Sequence, residues 1–261
     1  MSQGIRCRFA SLIFAGAALF SSAFAPAFAH EGPRAASSTL PSDKALDSMM
    51  ATRDWHGLGT ALSQATDQAS LTRALDWLQA KVTAGSGFMI AVMYARELWT
   101  AGEAMKLDDP GKDLRVTAGM MMLYAVELIA IDGAKCEDES APGHRLDQIS
   151  EMDAAIFKFL RTQSADMKSK VVDTALALEQ RTAPLRRDDD VICRGGLAEI
   201  QAGLEHDTQK EMPHASGHYG KDVEVAAPPG WAPKFVPAST YHPLQEAARA
   251  SMRENLLSLV E

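Results

Sequence analysis

The sequence predicts an all-α protein: a compact multi-helix bundle of about seven to nine helices, with a C-terminal irregular strap and a terminal helix. Three observations carry this. From Ser42 to about His206 the apolar residues recur at helical spacing, and no run alternates as a strand would. Two stretches, about 88 to 105 and 113 to 134, are apolar nearly all round at their centres, which marks helices enclosed by other helices. Beyond residue 206 the composition shifts to His, Gly and Pro, and an amphipathic period returns only at the C-terminus.

Taken in order, Arg6 and Arg8 precede an apolar stretch, Phe9 to Phe20, and a small-residue site, Ala27-Phe28-Ala29. This is the pattern of a signal peptide over residues 1–29, cleaved after Ala29, and it predicts a periplasmic or secreted protein. The apolar stretch is shorter than the roughly 20 residues of a membrane span, and no later segment is expected to span. Residues 30–41 (HEGPRAASSTLP) are small, polar and proline-punctuated, and are expected to form a flexible N-terminal segment.

Residues 42–206 are expected to form the helical core. Helices follow at 43 to 53 and 55 to 65. The next carries Leu71, Leu75, Leu78 and Val82 on one stripe, capped by Asp67 or Ser70 and stopped by Gly85 and Gly87. The two enclosed helices are joined by a turn of Asp, Pro and Gly, Lys106 to Asp113, and Gly133 ends the second. A polar loop, CEDESAPGHR, then leads to a helix with Leu146, Ile149, Met152, Ile156 and Leu160 on one face. Another, with Met167, Val171, Ala175 and Leu178, is broken at Pro184, and a last core helix, about 189 to 205, is weakened by Gly195-Gly196.

Residues 207–241 lack a period but hold Trp231, Phe235, Val236 and Tyr241, which favour a strap laid over the domain rather than a disordered linker. Residues 242–261 read as a helix opening at Pro243, with Leu244, Ala248, Met252, Leu256 and Leu259 or Val260 packed on the core. The pattern Y-A-x-E-L occurs at 94–98 and again at 124–128. Two copies fall short of the three or more units that a stacked solenoid needs, so the echo reads as two antiparallel core helices with similar demands.

The net charge is −8, and loss of residues 1–29, with two arginines and no acid, takes it to −10. Nucleic acid and anionic lipid need basic patches, so neither is expected as a partner. Cys7 lies in the signal, which leaves Cys136 and Cys193 as an even pair in an oxidising compartment, where a disulfide is the expected state.

Candidate chemistry starts at Glu127, the one charged residue in the run Met120 to Ile131. An ionised carboxylate alone in a core costs several kcal/mol, so the residue is expected to be paired, hydrogen-bonded or protonated. Arg96, Arg115, Tyr94 and Tyr124 are the candidate partners. If Glu97 lies on the facing helix, it and Glu127 would share a pocket suited to a metal or an acid/base pair. A structural ion pair is the commoner use. A di-iron bundle site would need Glu-x-x-His pairs on helices, and the one such spacing, Glu211 to His214, contains Pro213.

Five of the seven histidines, His30, His206, His214, His218 and His242, fall at the irregular ends, where they would be the ligands of a copper or zinc site. Cleavage after Ala29 would leave His30 as an N-terminal residue able to chelate copper through its α-amine and imidazole. Solvated polar residues are the plainer reading. The thirteen methionines, with Met120 to Met122 inside an apolar run, read as core filling. No nucleophile elbow, phosphate-cradling loop or Cys beside a base is present, so no catalytic residue is assigned. The expectation is therefore a non-enzymatic envelope protein that binds another protein or a small molecule, with a metal-binding protein as the alternative and no other cofactor expected.

Overall fold

A computed structural model describes residues 40–105, 112–212 and 223–261. Its ten α-helices open with α1 (Asp43–Ala51), α2 (Trp55–Ser63), α3 (Gln68–Thr83), α4 (Phe88–Met105) and α5 (Leu114–Asp132). After a short 3-10 turn, Gly133–Lys135, come α6 (Ser140–Met152), α7 (Ala154–Arg161) and α8 (Ala165–Thr182). A second 3-10 turn, Ala183–Leu185, leads to α9 (Leu197–Glu205), the strands β1 (Gln209–Glu211) and β2 (Val223–Val225), and α10 (Ala238–Val260). The described residues are thus all-α with one small antiparallel hairpin, and hold one helix more than the upper expected number.

Helix starts follow from local chemistry. Ser42, Asp54, Asp67, Asp113 and Ser164 each turn a side-chain oxygen onto an amide of the first turn. At the end of α3, Gly85 takes φ +80°, a left-handed conformation that glycine adopts without strain.

Helix α5 is the axis. It packs against α4, α6, α7, α8 and α10, and Met120, Met121 and Met122 are all buried in the core. With its 3-10 extension it is long and apolar enough to cross a membrane by length and composition. The sequence reading expected no such segment. Here 78% of its most apolar 18-residue window is buried inside the fold, which accounts for its apolarity on every side.

Several elements differ from expectation, each for a tertiary reason. The expected helix through Leu146 and Leu160 is two helices, because Asp153 leaves helical geometry to bind Arg96 of α4 bidentately at 2.8 and 2.9 Å. Met152, assigned to the buried face, is consequently 70% exposed. Its first half starts early, at Ser140 within the expected loop, because Asp138 accepts the Ser140 amide and hydroxyl. Pro142 then lies in the first turn, where no amide is needed.

The expected core helix at 189 to 205 exists only from Leu197 and lies on the surface. Asp189 turns inward to accept the amides of Phe88 and Val191, and burial pushes its carboxyl up to about 6 against these bonds. Gly195 at φ +80° separates the turns after Asp189 from α9. The terminal helix opens at Ala238, not Pro243, and Pro243 lies inside it. Leu244 is 51% exposed, while Gln245 takes the inward position and donates to Asp132 at 3.3 Å.

Part of the region read as unstructured strap forms the hairpin, with Gln209 opposite Val225 and Glu211 opposite Val223. Gly203 admits it against α9: a Cβ there would lie 2.4 Å from the Val225 side chain. The segment around Phe235 pairs antiparallel with Cys136, through Glu137 N to Lys234 O and Val236 N to Lys135 O, both 2.9 Å. Cys136 and Cys193 form the disulfide beneath it. The turn at Lys106 to Asp113 lies mostly outside the described residues.

Candidate functional site

Two places merit attention, one sealed and one open. The sealed one is a polar seam where α8, α10 and the chain after α8 meet α5. Arg186, its side chain 3% exposed, donates to Asp132 at 2.7 Å and to Glu179 at 2.6 Å. Arg249 of α10 reaches the same Glu179 at 2.9 Å. Thr182 accepts from Arg186 at 3.2 Å and shares a 2.8 Å hydrogen bond with the Tyr124 hydroxyl. Burial pushes the Glu179 carboxyl up, but Arg249 and Arg186 outweigh it and hold the group below the usual range. The seam fastens the C-terminal helix to the core.

Glu127 lies at this seam, 0% exposed, and neither of its carboxyl oxygens has a hydrogen-bond partner. Burial and then the nearby charge of Glu179 raise it to about 9, against the pull of Arg186. The candidate partners are occupied elsewhere or remote in effect. Arg96 binds Asp153, Arg115 binds Asp113 and Glu103, and Tyr124 binds Thr182. Tyr94 is half-buried and pushed up to about 12 by burial and Asp76. Glu97, also half-buried, is raised by burial. Of the three states expected for Glu127, protonation is the one that fits.

Glu179, Arg186, Asp132, Arg249 and Gln245 were not singled out from the sequence. A weak signal existed: Asp132 closes the apolar run of α5, and Glu179 directly follows Leu178 on the buried stripe of α8.

The open place is the edge built by α9. Leu197, Ile200 and Leu204, at i, i+3 and i+7, form a stripe 69%, 39% and 49% exposed. The hairpin packed beside it adds the exposed Met212 and Val223. At the start of α9 a cleft of about 340 Å³ is lined by Glu137, Asp138, Cys193, Ala198, Trp231 and Lys234, among others. Asp138 is spent structurally, since it accepts the Ala198 amide at 2.8 Å while Ser140 Oγ accepts that of Leu197 at 2.8 Å. These two residues cap α9 and fix its orientation. Arg194 lies over the Trp231 ring at 5.4 Å and holds Glu199 at 3.3 Å, so the strap closes one wall.

Of the candidate metal ligands, His206 ends α9 and His242 lies in α10 with its ring 4.6 Å from Tyr241; both are exposed. His30, His214 and His218 lie outside the described residues, as do residues 1–29, which the sequence reads as an export signal. Among the described residues no group of three or more His, Cys, Asp or Glu converges as a metal ion requires. Comparison with protein-family models, with curated proteins and with solved structures found no match.

Proposed function

We propose that this chain is an exported, non-enzymatic interaction protein of the cell envelope, and that the α9 edge is the surface its partner covers. The observation that carries the reading is the exposed Leu197, Ile200 and Leu204 stripe, because a helix face of this spacing normally packs against something. The partner is a protein segment with an apolar face bordered by Lys or Arg. Helix α9 carries the exposed Glu205 and no basic residue, its Glu199 is matched by Arg194, and the chain carries a net charge of −8, so a basic rim would be steered to this edge. The disulfide supports export, since such bonds persist in oxidising compartments. The sealed position of Glu127 supports a role outside catalysis. The copper or zinc alternative draws no support from His206 or His242, neither of which belongs to a ligand cluster among the described residues.

A photoreactive residue in place of Gln201, between the stripe and Glu205, tests the reading in cells. The expected result is an adduct with one envelope protein, mapped to a basic, apolar segment, and its loss when Leu197 and Leu204 are changed to Asp. Adducts confined to the chain's own residues, or none at all, would contradict it.

A further inference from the structure

We propose that Glu127 is a proton-holding group, and that its ionisation loosens the seam between α5 and α8 and with it the docking of α10. Glu127 is enclosed: it is 0% exposed, and both carboxyl oxygens lack a hydrogen bond among the described residues. Charge is balanced without it. The seam sets Asp132 and Glu179 against the guanidiniums of Arg186 and Arg249, and Lys135, 3.9 Å from Asp132, is matched by Asp188 at 3.0 Å. A further carboxylate charge would be the odd one, in a place where an uncompensated charge is costly.

Among the described residues, the groups around it offer no spare cation. From α8 come Glu179 and Thr182, and from the chain beyond it Arg186, committed to Asp132, Glu179 and Thr182. On α5 itself Tyr124 is bonded to Thr182 and Asp132 to Arg186. From α10, Arg249 is bonded to Glu179 and Gln245 to Asp132, while Lys135 is paired with Asp188 at 3.0 Å. On α4, Arg96 is held by Asp153; on α6, Arg145 is bonded to the Val191 carbonyl and Gln148; on α7, Lys158 and Arg161 are exposed.

As a neutral acid Glu127 leaves this balance intact. Once its proton passes to solvent, it repels Glu179 and competes for Arg186, the residue that joins α5 to α8. Burial first, and Glu179 second, keep the acid protonated until about pH 9 in the folded chain, whereas in the unfolded chain the proton leaves near the ordinary value of 4.5. The folded state therefore holds one proton more in this window. Its stability falls as pH rises, and the opening equilibrium grows by up to about tenfold per pH unit.

Hydrogen exchange of the α8 and α10 amides, corrected for the intrinsic base-catalysed rate, tests this on the full chain between pH 6 and 9.5. The opening constant is expected to climb with pH in the natural protein and to stay flat in Glu127→Gln, which keeps the shape and cannot ionise. Parallel profiles for the two would overturn the proposal. An infrared band of a protonated carboxyl at pH 7, lost on alkalinisation, is expected in the natural protein whether or not the variant folds. A natural protein without that band would equally overturn it.

Discussion

Glu127 and Glu179 are both buried acids at one seam, yet they behave oppositely because only Glu179 is reached by guanidiniums. Removing Glu179 would leave Arg249 without its carboxylate and Arg186 with Asp132 alone, so Glu179→Ala is expected to cost about 3–5 kcal/mol in a denaturant titration. Glu127→Met should do the reverse. It replaces an unsatisfied polar group by an apolar one of similar shape, and is expected to stabilise by about 1–3 kcal/mol at neutral pH. A loss of stability in that variant would mean that Glu127 has a partner. The sequence exposed Glu127 readily, as a lone acid in an apolar run. Its surroundings were illegible, because Glu179 and Arg186 come to it through packing of α8 on α5, more than 50 residues along the chain. The nearer candidates in sequence, Arg96 and Arg115, were drawn off by Asp153 and Asp113.

At the scale of elements, whatever depended on local pattern was readable. The cap at Asp67, the stop at Gly85 and the enclosed helices α4 and α5 all follow from neighbouring residues. What depended on distant contacts was not. The break at Asp153 exists because Arg96 is there to bind it, and the hairpin strands are only three residues each, too short to alternate visibly. The disulfide is an exception, legible from cysteine count and compartment. It spans 57 residues, and the chain-entropy model gives its loss a cost of about 4 kcal/mol. The double substitution Cys136→Ser and Cys193→Ser is therefore expected to lower the denaturation midpoint. It should also expose the segment Trp231 to Val236 to protease, because that segment pairs with the chain at Cys136. A cleavage pattern identical to the natural protein would show the segment held by other contacts.

At the scale of the whole molecule, a closed interior contrasts with the α9 edge proposed to meet a partner. The interior is filled by α5 and its neighbours, and the polar seam there fastens α10. Helix α9 contributes only Gly203 to the buried set and turns its leucines outward. The sequence placed α9 in the core because apolar spacing reveals that a face will be covered, not by what; the same stripe serves a core or a partner. The measurement that decides between them is the thermal melting of the isolated protein carrying Leu197→Asp and Leu204→Asp. If the stripe is kept for a partner, the midpoint should match that of the natural protein to within about 0.5 kcal/mol of stability, as for other surface changes. A destabilisation of several kcal/mol would show that the chain buries the stripe itself, and would contradict α9 as the working surface.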